Sequence, residues 1–69
     1  NLPTTLTEET ATSLIGLTET EAVKVASERG WIVRVAMRDG EAFMLTKDYL
    51  ENRANLTVVK TVVTAVAIG

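Results

Sequence analysis

Residues 18–40 read TETEAVKVASERGWIVRVAMRDG, and two different periods meet inside them. Thr18-Glu19-Thr20-Glu21 has the form of a capping box. The Thr18 hydroxyl can accept from the Glu21 backbone N–H, and the Glu21 carboxylate can reach back to the Thr18 N–H. Ala22, Val25, Ala26 and Arg29 then recur at i, i+3, i+4 and i+7, one face of a helix. Gly30 follows as the left-handed residue that ends it. From Trp31 the period drops to two. Trp31, Val33, Val35 and Met37 point one way, and Arg34 and Arg38 the other, as in a half-buried strand. Asp39-Gly40 closes the strand as a turn. Trp31 itself reads as core, with its indole N–H satisfied nearby.

Downstream, the β pattern returns at Ala54. Leu56 and Val58 share a face, as do Val66 and Ile68, with a turn expected at Lys60-Thr61. The Val-rich stretch Val58, Val59, Val62 and Val63 is an aggregation hazard if it forms an exposed edge. One helix against a small sheet, an α+β plan, accounts for these elements. Between them runs the long connection from Gly40 to Arg53. Structureless loops of about 12–15 residues are uncommon in compact domains and are usually functional or disordered. Phe43, Met44, Leu45, Tyr49 and Leu50 are too many large apolar groups for a solvated linker. An ordered loop that displays side chains is expected.

Upstream, residues 1–13 form a polar, Thr-rich stretch with Pro3. They are expected to be a loosely ordered arm with a short helical turn at Thr7–Ser13. Leu14 and Ile15 are the first expected core residues, and 14–69 the single domain. Glu8, Glu9, Glu19 and Glu21 read as helix-start charges in preference to a catalytic carboxylate pair.

The totals narrow the function. A chain of 69 residues supports one domain, which buries only about 60% of the surface its unfolded chain exposes. There is no His and no Cys. The usual general base, the Ser-His and Cys-His nucleophile pairs and the commonest metal ligand are therefore missing. Neither enzymatic activity nor a metal or cofactor is expected. The formal charge is −2 and the pI about 4.9, with no basic stripe to neutralise phosphates, so nucleic acid is not an expected partner. The uncharged run Thr61–Gly69 is too short to span a bilayer. The chain starts at Asn1 and shows no signal peptide, as a mature or excised domain would. A monomer is expected.

Several motifs then fall in a recognisable order. Leu14-Ile15-Gly16 is followed by the capped helix, Gly30-Trp31-x-Val33-Arg34-Val35, Arg38-Asp39-Gly40-Glu41, Thr46-x-Asp48-Tyr49, Arg53-x-Asn55, a hairpin and Gly69. This ordered set resembles the potato inhibitor I type family of serine peptidase inhibitors, which includes the barley chymotrypsin inhibitors and eglin. It looks closest to their small bacterial and fungal relatives. The resemblance covers roughly Leu14 to Gly69.

The resemblance implies one α-helix packed on a small mixed β-sheet, a long exposed binding loop between two parallel strands, and a C-terminal β-hairpin. It implies a reactive bond between Lys47 and Asp48, with Lys47 entering the specificity pocket of a serine peptidase. Leu45, Thr46, Tyr49 and Leu50 would contact the target, and Arg53 and Asn55 would support the loop from the body. Secretion, or a periplasmic location, is implied in the same way. The barley-type members carry a second supporting arginine where this chain has Asn55, as the smaller relatives do. Some of those relatives also tie the N-terminal part with a disulfide, for which this chain has no Cys.

The chemistry suits these residue types. The planar fork of Arg53 can donate to loop carbonyls and to the Asp48 carboxylate together, although Glu51 could compete. The Thr46 hydroxyl can join that network. A long cation at Lys47 fits an anionic pocket such as trypsin's, and a subtilisin-like target stands second. Taken alone, Lys47 reads as a solvated loop lysine, Arg53 equally as a surface charge or as a loop support, and Asn55-Leu56-Thr57 as a chance sequon. Phe43 is expected to pack on the body and Leu45 to face the target. The alternative function is a structural or interaction domain of the same fold that inhibits nothing.

Overall fold

The computed structural model describes residues 4–69, so Pro3 and the start of the arm lie outside the described residues. The described elements run α1 (Glu8–Ala11), a 3₁₀ turn (Thr12–Leu14), α2 (Glu19–Glu28), β1 (Ile32–Arg38), β2 (Glu41–Ala42), β3 (Arg53–Val59) and β4 (Val62–Ile68). The strands form one mixed sheet in the order β2-β1-β3-β4. β1 and β3 are parallel, and the other two pairings are antiparallel. This is the small α+β fold the sequence predicts.

Helix α2 starts and stops where its local chemistry requires. The Thr18 hydroxyl accepts from the Glu21 N–H at 3.2 Å, and the Glu21 carboxylate accepts from the Thr18 N–H at 3.1 Å. The bonds from the Thr18 backbone and then its hydroxyl hold the Glu21 carboxyl below its ordinary range. At the other end Gly30 takes φ 79°. Its N–H reaches Ser27 O at 3.1 Å and that of Trp31 reaches Ala26 O at 2.8 Å, a complete Schellman pair. Ala22 and Ala26 have no exposed surface and let the helix approach the sheet closely.

The sheet contributes Ala54, Leu56, Val58 and Val63 to the core, with Val33, Val35, Val66 and Ile68 packed around them. Fully burying a side chain the size of Leu56, Val58 or Val63 stabilises by roughly 1.5–3 kcal/mol. Leu6 and Ala11 join the core ahead of Leu14, whereas Ile15, expected inside, is 45% exposed. The expected helical turn at Thr7–Ser13 is present as α1 and the 3₁₀ turn, capped reciprocally by Thr7 and Thr10. Trp31 is buried, its indole N–H donates to Thr4 O at 2.7 Å, and the Arg29 guanidinium lies over its ring.

Strand β1 departs from simple alternation. Its pairing with β3 shifts between Val35 and Met37, leaving Ala36 as an extra residue. Such a bulge reverses the facing of everything beyond it. Met37, expected in the core, is therefore 37% exposed. Arg38 turns to the helix side, where it pairs with Glu19 at 2.8 Å, while Arg34 stays on the opposite face beside Asn55.

Both hairpin turns use left-handed residues at their two central positions. Asp39 and Gly40 (φ 51° and 81°) join β1 to β2, and Lys60 and Thr61 (φ 50° and 69°) join β3 to β4. The Asp39 carboxylate accepts from the Lys60 N–H at 2.7 Å, which ties the two turns together. The Val-rich hairpin is not left as an open edge at its start. Gly16 N–H donates to Val63 O, and Val63 N–H to Leu17 O, both at 2.8 Å, with Thr18 bridged to Val62. Among the described residues no helix is long and apolar enough to cross a membrane.

Candidate functional site

The parallel pairing of β1 and β3 creates the site. Two parallel neighbours need a long connection. Here the β2 hairpin takes up its first part and residues 43–52 the rest. Residues 43–50 are all exposed. The segment is fastened at its ends by Phe43 N–H to Ala36 O at 3.0 Å and by Ile32 N–H to Asn52 O at 2.8 Å.

Beneath the loop lies Arg53, the first residue of β3. It is 7% exposed, the one buried charged residue among those described. Its Nη2 donates to Asp48 O at 2.7 Å and its Nη1 to the Asp48 carboxylate at 3.2 Å. Nε and Nη2 also donate to Gly69 O, at 3.1 and 2.6 Å. A buried guanidinium is tolerated only when its donors are used in this way. Its ion-pair partner is Asp48 and not Glu51.

A second arginine completes the support. Arg34, in β1, stands directly opposite Asn55 in β3. Its Nε donates to Asn55 Oδ1 at 2.7 Å and its Nη1 to the Thr46 hydroxyl at 3.0 Å. The Thr46 hydroxyl in turn donates to the Asp48 carboxylate. Asn55, expected to support the loop from the body, is linked to it through Arg34. Because Asn55 sits in a central strand with its amide oxygen engaged, its side chain is committed to this network.

One hydrogen-bonded chain thus runs Asn55, Arg34, Thr46, Asp48, Arg53, Gly69. It holds the Asp48 carboxyl down to about 2, through the Thr46 hydroxyl first, then the residue's own backbone N–H and Arg53. Lys47, between Thr46 and Asp48, is exposed and enters no ion pair among the described residues.

The apolar side chains of the loop are arranged differently from expectation. Met44 is fully exposed, while Phe43 and Leu45 are equally exposed at 37%. Phe43 rests against the Arg38 guanidinium, 5.6 Å from its ring centroid. Tyr49 projects outward but lies over Gly69, where an added Cβ would come within 3.4 Å of the ring. Gly69 also takes φ 144°, which disfavours any other residue.

Arg34 and Gly69 are the participants that sequence reasoning missed as loop supports. The signal for Arg34 was its place on the strand face away from the helix. Pairing it with Asn55 required the parallel register. Among the described residues no group of three His, Cys, Asp or Glu side chains is placed to hold a metal ion. No protein-family model, curated protein or solved structure matches this chain.

Proposed function

We propose that the protein inhibits serine peptidases by presenting residues 43–52 as a ready-made substrate segment, with Lys47–Asp48 as the reactive bond. The observation that carries this reading is the exposed loop braced from below by two arginines, with Lys47 projecting between the braced residues. A peptidase binds its substrate extended. A loop already held in place loses little freedom on binding, which favours affinity. Interfaces of this kind bury roughly 1,600 Å² and rank among the tightest known.

The same brace explains why cleavage would not release the inhibitor. Attack of the peptidase serine on the Lys47 carbonyl breaks the Lys47 C–Asp48 N bond and forms an acyl ester. The proton passes through the peptidase histidine to the new Asp48 amine. Arg53 grips the Asp48 carbonyl and carboxylate, so that amine stays beside the ester. Its return attack then competes with water as an effectively intramolecular step.

Lys47 favours a trypsin-like target. The exposed Met44, Leu45, Tyr49 and Leu50 suit an apolar cleft on either side of the bond, which keeps subtilisin-like enzymes as second choice. With this reading go a monomeric, non-enzymatic protein and a secreted or periplasmic location. The rival reading, an interaction domain without inhibitory activity, draws on the same exposed apolar side chains. Titrating trypsin and subtilisin with the protein separates the two. Stoichiometric loss of activity is expected; full activity at micromolar protein, with rapid cutting elsewhere than Lys47–Asp48, would sink the inhibitory reading.

A further inference from the structure

We infer that Arg34 is the positioning residue for the acyl side of the Lys47–Asp48 bond, acting through Thr46, with Asn55 as its anchor; this rests on the inhibitory reading above. The two arginines grip opposite sides of the bond. The Arg53 side chain bonds the loop only through Asp48, the residue that follows it, while its backbone N–H reaches Leu50 O on the same side of the cut. Arg34 touches the loop only through Thr46, two residues before Asp48. After cleavage the amine-side half would still be held by Arg53. The acyl-side half would be held by Arg34, by the Thr46–Asp48 bond across the cut, and otherwise not until Phe43 N–H meets Ala36 O.

Asn55 makes Arg34 effective. A long, half-exposed arginine has many rotamers, and a single bond to Thr46 would not select one. The second bond, from Nε to Asn55 Oδ1, fixes the guanidinium plane so that Nη1 is aimed at the loop. Two donors on one rigid plane, pointing at two partners, are a property of arginine that the point charge of lysine lacks. Asn55 and Thr46 share no hydrogen bond and are joined through Arg34. The pair therefore works as a relay from the centre of the sheet to the loop.

The test uses the whole protein with Arg34→Ala, Arg34→Lys, Asn55→Ala and the Arg34→Ala/Asn55→Ala double variant. In the free protein, backbone order parameters at Leu45–Lys47 should fall from about 0.85 towards 0.6 in each variant. The double variant should be no looser than Arg34→Ala alone. With a trace of trypsin, the rate at which cleaved protein is resealed should fall about tenfold, the effect of losing one charge-assisted bond that keeps the acyl end in place. Lysine at position 34 keeps the charge and should not restore either readout. Order parameters at Leu45–Lys47 that do not change in Arg34→Ala would overturn the inference, whatever the variant does to global stability. A loosened loop in a protein whose wild type inhibits neither trypsin nor subtilisin would sink the inhibitory reading and leave the brace standing.

Discussion

Arg53 and Asp48 are joined twice, by a guanidinium bond to the Asp48 carbonyl at 2.7 Å and by an ion pair to its carboxylate at 3.2 Å. The first bond fixes the backbone at the proposed reactive bond, and the second fixes the side chain above it. Because Arg53 is itself buried against Gly69 O, the rigidity of the sheet is carried directly into an exposed segment.

Replacing Arg53 with Ala should therefore affect both stability and inhibition. It leaves the Gly69 and Asp48 carbonyls short of donors and a void under the loop. A loss of about 2 kcal/mol in urea unfolding is expected. Trypsin should then cut Lys47–Asp48 as in an ordinary substrate. Unaltered inhibition by Arg53→Ala would show that the brace is not what keeps the bond intact.

The Asp48 carboxyl supplies a pH dependence with a defined sign. Its folded value, about 2, lies below its ordinary 3.8. Its contribution is thus fully present above about pH 4 and is lost as pH falls through 2. Asp48→Asn should flatten this part of the acid limb of stability. The Thr46 hydroxyl is the first cause of the lowering and Arg53 contributes to it, so Thr46→Val and Arg53→Ala should each raise the Asp48 value. Carboxyl-carbon NMR titration of the two variants measures both shifts, and an unchanged Asp48 value in Thr46→Val would remove the hydroxyl from the brace.

The β3–β4 turn holds Lys60 and Thr61 at φ 50° and 69°, and for a β-branched residue such as Thr61 this conformation is strained. Lys60→Asn with Thr61→Gly supplies residues that adopt it readily. The bonds made by the turn backbone, Glu19 N–H to Thr61 O and Lys60 N–H to Asp39, are retained. A gain of about 1 kcal/mol is expected, raising Tm by roughly 4–8 °C in a domain of this size. A lower Tm in the double variant would mean that the native side chains contribute more than their strain costs.

Lys47→Leu should move inhibition from trypsin towards chymotrypsin- or subtilisin-like enzymes while leaving stability within about 0.5 kcal/mol, since the side chain is exposed and enters no ion pair among the described residues. Inhibition constants against the three enzymes report the change. Persistent trypsin inhibition would place the reactive bond elsewhere in the loop.

Much of this was legible in the chain because its causes are short-range. Thr18 and Glu21 cap α2 across three residues, Gly30 closes it, and Asp39-Gly40 turns the chain back on itself. These interactions are contained within a few neighbours and need no knowledge of the rest of the fold. The apolar content of Phe43–Leu50 likewise marked the loop as ordered before its partners were known. Thr46, Asp48 and Arg53 do come together, since they lie close in sequence and the loop returns on itself between them.

What the chain by itself determined was therefore the helix, its ends, the turns and the existence of a displayed loop. The tertiary structure alone decided which face each arginine serves. The extra residue at Ala36 sends Arg38 to Glu19 and leaves Arg34 beside Asn55, and the β1–β3 register that sets this brings together residues far apart in sequence. The same holds for Gly69, which meets Arg53 and Tyr49 only because β4 pairs back along β3. Hydrogen bonds within a turn follow from local sequence. The partner of a strand side chain follows from register, and register is settled by the packing of the whole core.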